Sequence, residues 1–165
     1  MTSARLEYRI AAVAVLCSAA ISVGSAQVAA GHPNFSGAWV LDAGRSDSSS
    51  FTPKSATWSV VQAGDSIILD RESPGAGKQH AVYALDGSPR TFTLRLVGSG
   101  TEAVSTVTWT AAGMVVHTTS HPGDAELAQT DTWMLSADGK ELRIKREATY
   151  AGRVMGSPTL VFLRQ

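Results

Sequence analysis

From Asn34 onward, apolar and polar residues alternate with a period of two, in short runs broken by glycine, proline and aspartate. In the stretch from Asn34 to Asp42 (NFSGAWVLD), Phe35, Gly37, Trp39 and Leu41 share one face, and Ser36, Ala38 and Val40 share the other. That is the pattern of a half-buried strand. The same reading predicts strands at 56–62, 66–71, 80–85, 91–97, 103–110, 114–121, 127–135, 141–150 and 159–164. Between them lie pairs such as Gly64-Asp65, Pro74-Gly75, Asp86-Gly87, Pro122-Gly123 and Asp138-Gly139. These supply the positive or preset φ angles that tight hairpin turns require. No segment sustains a helical period; the best short candidate is 123–129.

Thr57-Trp58, Thr108-Trp109 and Thr132-Trp133 each precede a glycine turn and a further apolar strand, a weak internal repeat that supports successive hairpins. Each tryptophan would bring a large apolar area inward. The expectation is an all-β antiparallel meander of about ten strands. It would remove its exposed edges either by closing as an up-and-down barrel, the favoured closure, or as a two-sheet sandwich.

Residues 1–30 change the picture at one end. Arg5 and Arg9 precede an apolar, alanine-rich run from Ile10 to Val23, and small residues follow that allow cleavage after Ala26 or Ala30. This reads as a Sec-type signal peptide. The run is shorter than the roughly 20 residues a membrane-spanning helix needs. The expected organisation is a leader over 1–30, a short linker over 31–34 and one β-domain over 35–165, periplasmic or secreted and without a membrane span once the leader is removed. Cys17, the one cysteine, lies in the leader. The remaining chain is therefore expected to have no disulfide, thiolate nucleophile or thiolate metal site.

The whole sequence of 165 residues carries 14 basic and 14 acidic residues; without Arg5, Arg9 and Glu7 of the leader, 12 and 13 remain. With no basic cluster, nucleic acid is not an expected partner, because its binding rests on neutralising phosphates with Lys and Arg. The spacing of His117 and His121 on a strand, about 13 Å at ~3.3 Å per residue, is too wide for one metal ion. No nucleophile elbow, zinc-protease helix or phosphate-binding glycine loop is present. Neither metal, cofactor nor enzymatic activity is expected.

Gly37-Ala38-Trp39 on the first strand, the run of glycine-turn hairpins and Arg164 on the last strand together resemble the calycin group of barrels. Phe35 to Asp42 with Arg45-Ser46-Asp47 is similar to the opening of small secreted bacterial lipocalin-like proteins of unassigned role. The resemblance implies that Trp39 closes one barrel end and Arg164 packs over it, with Gly37 beside them. It also implies a small apolar or amphipathic ligand. The polar loop over 45–53, with its serine run, reads as solvated linker.

Two strands carry charge where alternation expects apolar residues. Arg71 follows Ile67 and Leu69 on one face; Arg146 and Tyr150 follow Leu142 and Ile144 on another. Arg71, Arg146 and Tyr150 either face a cavity and hold a ligand carboxylate, or sit at strand ends and pair with Asp70, Glu72 or Glu147. A filled barrel serving a structural or protein-interaction role in the cell envelope is the alternative to ligand binding.

Overall fold

A computed structural model describes residues 31–49, 52–96 and 99–165; the expected leader lies outside them. Eleven strands follow in chain order: β1 (Gly37–Leu41), β2 (Thr57–Ala63), β3 (Ser66–Ser73), β4 (Gly77–Ala84), β5 (Arg90–Leu96), β6 (Ser99–Thr110), β7 (Gly113–Ser120), β8 (Leu127–Leu135), β9 (Glu141–Tyr150), β10 (Arg153–Gly156) and β11 (Thr159–Arg164). Ten of them form one antiparallel meander ordered β4-β3-β2-β1-β11-β9-β8-β7-β6-β5, nearly closed into a barrel. The first and last strands join, with Trp39 directly opposite both Arg164 and Trp58. No helix among the described residues is long and apolar enough to cross a membrane, and residues 123–129 pass from a turn into β8.

The one strand that alternation does not foretell is β10, a four-residue return paired with the end of β9 through a bulge at Met155. It precedes β11 on the same side of β9. The loop after β1 also differs from a solvated linker: its first part is stapled to β11. The Ser46 hydroxyl donates to the Asp42 carbonyl and accepts from the Val161 amide, while Asp47 exchanges bonds with Thr159 through its amide and its carboxylate. The Arg45-Ser46-Asp47 signature is thus a strand-closing device.

The path ends are β4 and β5, joined by a short loop but by no backbone ladder. Side chains bridge this seam instead. Tyr83 meets Phe92 edge-on at 6.2 Å, and the Gln79 amide nitrogen donates to the Arg95 carbonyl.

One barrel end is closed by aromatic packing. Phe35, Trp39, Trp133 and Phe162 are fully buried, and Trp58 lies between Trp133 and Phe162. The Trp39 indole donates to the Phe35 carbonyl at 3.0 Å. Arg164 stacks over the Trp39 ring at 4.3 Å and donates to the carbonyls of Ser36 and Gly139. Gly37 leaves room for this: a Cβ there would lie 2.5 Å from the Arg164 Nη1, at a φ of +149°. Gln62 ties down the strap over 33–36, accepting from Phe35 and donating to Pro33. His32 stacks on Trp109 at 3.9 Å.

Candidate functional site

The inward faces of six strands change character at one level of the barrel. On β3, Ile67 and Leu69 give way to Arg71; on β7, Met114 and Val116 to Thr118 and Ser120; on β9, Leu142 and Ile144 to Arg146. Strands running the other way show the reverse order: Gln79 before Ala81 and Tyr83 on β4, Ser105 before Val107 on β6, Asp131 before Trp133 on β8. Registry places these positions side by side, with Arg71 opposite Gln79, Ser105 opposite Thr118, and Asp131 opposite both Val116 and Arg146. The half of the interior nearest the closed end is apolar. The half nearest the open end carries a polar ring.

Above that ring lies a cavity of about 300 Å³. Its walls include Trp58, Leu94, Leu160 and Phe162, its rim Pro53, Pro74 and Leu96, and Arg71, Gln79, Gln129 and Arg146 reach it from the ring. A larger depression of about 580 Å³ lies on the outer face of β1 to β4. Its charged groups pair with one another, His80 with Asp70 at 2.7 Å and Lys78 with Glu72 at 4.0 Å, and stand in solvent. The interior cavity is the better candidate, because its polar groups are shielded from water and have walls to work against.

The two interior arginines are held differently. Arg146 makes a bidentate pair with Asp131, both bonds at 2.8 Å, and the second carboxylate oxygen also accepts from Gln129 at 2.9 Å. Burial alone would lower the Arg146 pKa, but the charge and hydrogen bonds of Asp131 outweigh it and hold it above its ordinary value. Arg71 has no carboxylate partner among the described residues. Its Nε and Nη2 both donate to the Gln79 side-chain oxygen, at 2.8 and 2.5 Å. Burial pushes its pKa below the ordinary value and nearby Arg146 adds to the push, while Tyr83 and Asp131 oppose it. Tyr83 is raised by its own burial, an effect that Arg71 partly offsets, so its phenol stays neutral at physiological pH.

Of the residues singled out from sequence, Arg71 and Arg146 reach the cavity together. Tyr150 does not line it: it lies at the end of β9, two residues beyond Ala148, and is 38% exposed. The phenol that belongs to the charged cluster is Tyr83. The carboxylates expected to neutralise the arginines are engaged elsewhere, Asp70 with His80, Glu72 with Lys78 and Glu147 with Lys145. Asp131 and Gln79 hold the arginines instead. A signal for both was present, because turns at Pro74-Gly75 and Asp138-Gly139 fix the registers that place 71 opposite 79 and 131 opposite 146.

The arrangement offers hydrogen-bond donors and positive charge against an apolar wall. Asp131, with its oxygens engaged by Arg146 and Gln129, is not presented as a base. Among the described residues no group of three or more His, Cys, Asp or Glu is placed to hold a metal. His117 bonds to Thr130 at 3.2 Å and His121 faces Glu126 at 3.8 Å, both exposed. Among the described residues two buried side-chain polar atoms have no partner, the Trp133 Nε1 and the Ser120 hydroxyl. The architecture, an all-strand and nearly closed antiparallel barrel, is compatible with a calycin-like fold. A scan against protein-family models gives no match, and neither does a search of curated proteins.

Proposed function

We propose that this is an exported binding protein that holds a compact amphipathic molecule in the open half of its barrel, without transforming it. The apolar part of the ligand would lie against Trp58, Leu94, Leu160 and Phe162, and its polar end would meet Arg71. One observation carries the reading: an interior arginine, held among the described residues only by a neutral amide, borders a cavity. A lone charge inside a barrel is costly to keep, and a ligand that completes its hydrogen bonds gives the position a use. A cavity of about 300 Å³ is at the small end of ligand sites. It corresponds to about ten water volumes at ~30 Å³ each, so the ligand is small.

The solid packing of the closed half favours a second reading, a filled barrel that meets a partner through its surface. The two separate on one measurement. Titration of the chain over 31–165 with 1-anilinonaphthalene-8-sulfonate, a compact amphipathic fluorophore, should give a saturable rise in fluorescence that Leu160→Trp, which fills the cavity, abolishes while the fold is kept. Binding that Leu160→Trp leaves unchanged would place the dye on the outer surface and favour the filled barrel.

A further inference from the structure

We propose that Gln79 makes the interior site selective for monoanions, by holding Arg71 in place with a neutral group where the β8–β9 hairpin uses an acid. This deepens the ligand-binding reading and rests on it. The two arginines sit in similar settings, each on an inward face and each directly opposite a polar residue of its hairpin partner strand: Arg146 of Asp131 and Arg71 of Gln79. Only the chemistry of the partner differs. An aspartate satisfies Arg146 in both charge and geometry, with two parallel bonds. The amide oxygen of Gln79 satisfies the geometry of Arg71 and leaves its charge.

The amide is fixed in this role. Its nitrogen donates across the β4–β5 seam to the Arg95 carbonyl, so its oxygen is the atom turned to Arg71. A guanidinium has five N–H donors, and Gln79 takes one from Nε and one from Nη2. The remaining Nη2 hydrogen and the two on Nη1 have no partner among the described residues. The free Nη2 hydrogen and the Nη1 hydrogen beside it form the end-on pair that receives a carboxylate in bidentate fashion, without displacing Gln79.

Charge then selects the ligand. Two guanidinium groups and one carboxylate act on one another in this interior, with the neutral Tyr83 beside them. Glu72 and Arg95, which also border the cavity, are exposed on the outward faces of their strands, so within the interior one positive charge is left over. A monoanion cancels it. A neutral molecule leaves it standing, a dianion overshoots to the opposite sign and a cation doubles it, and each imbalance is penalised in a shielded site. The class of ligand is accordingly a small monocarboxylate or a like monoanion with a short apolar tail. Gln79 is a positioning residue that sets this preference through Arg71.

The test compares octanoate, 1-octanol, octylamine and octyl phosphate at pH 8 by isothermal titration calorimetry on the chain over 31–165, in the wild type and in Gln79→Glu, Gln79→Met and Arg71→Met. In the wild type octanoate should bind at least about tenfold more tightly than octanol, since a hydrogen-bonded charge outweighs a neutral contact, and also more tightly than the amine or the phosphate. Gln79→Glu supplies the missing carboxylate from within, so the octanoate-to-octanol ratio should fall to about one or below, as in Arg71→Met. Gln79→Met, which stays neutral, should retain part of the preference. An octanoate preference that survives Gln79→Glu overturns the proposal, as does equal binding of octanoate and octanol to the wild type; both leave the amphiphile reading standing. No binding of any octyl compound to the folded wild type overturns both.

Discussion

At the closed end of the barrel the face of Arg164 lies on Trp39, and its Nε and Nη1 donate to the carbonyls of Gly139 and Ser36. In the open half Arg71 has, among the described residues, only the amide oxygen of Gln79. Both are arginines on strands of one sheet without a carboxylate among the described residues, yet the first spends its ring face and two donors on closing the barrel end and the second borders a cavity. The closed end buries tryptophan and phenylalanine and finds partners for the guanidinium in backbone carbonyls that its own turns leave free. The open half has polar residues at the same level on six strands, and their mutual satisfaction stops one acid short. A barrel that needed only to fold would gain by replacing Arg71 with an apolar residue, because removing a buried charge without a counter-charge costs nothing in pairing. The difference separates what holds this molecule together from what it is able to bind.

The largest test of that division is at the closed end. Trp39→Ala removes a fully buried indole and strips Arg164 of its stacking surface. Urea denaturation should show a loss of about 3–5 kcal/mol. A comparable loss, about 3–5 kcal/mol, is expected for Asp131→Ala, which leaves Arg146 buried and unpaired. Gly113→Ala should cost less, about 1–3 kcal/mol. Gly113 has a φ of +142°, and a Cβ there would overlap the Trp133 carbonyl oxygen, which belongs to backbone and yields little.

Arg71→Met should change stability by less than about 1 kcal/mol, or raise it. A loss of several kcal/mol at this position would mean that Arg71 is structural after all, and the contrast with Arg164 would fail. The smallest effect is the response to pH, and it too divides by region. Glu141 is held below the usual carboxylate range by its bonds from Arg143 and Arg45, Asp138 by Ser136 and the Lys140 amide, and Asp86 by Ser88. All three belong to the closed-end turns and their flanks. Because their folded values are depressed, the stability they contribute is present above roughly pH 4 and is lost as pH falls through those values. Tyr83 is the opposite case. Its raised folded value means that its contribution is intact below about pH 10 and is lost above it. Hydrogen exchange followed against pH should therefore show the turns around Asp86 and Asp138 loosening first in acid.

The strand plan was legible because turn chemistry and alternation are local: the bounds of β8, β9 and β11 agree with the pattern residue for residue. The short β10 was not, since its four residues lack alternation and pair only because β9 runs on past β11. Arg71 and Arg146 stood out as charges on apolar faces. Their partners needed one further step, counting register outward from the turns at Pro74-Gly75 and Asp138-Gly139, which assigns Gln79 and Asp131. Tyr83 and the exclusion of Tyr150 needed the closed barrel.

By itself, then, the amino-acid sequence determined which residues pair across each hairpin and which face each presents, because a two-residue period and a glycine turn act over a few bonds. Only the tertiary structure decided that Arg71 of the third strand and Arg146 of the ninth share one interior, and that Asp131 neutralises a single one of them. Side chains from strands so far apart along the chain meet only when the sheet curls and the first strand joins the last, and the charge left over is a property of that enclosure.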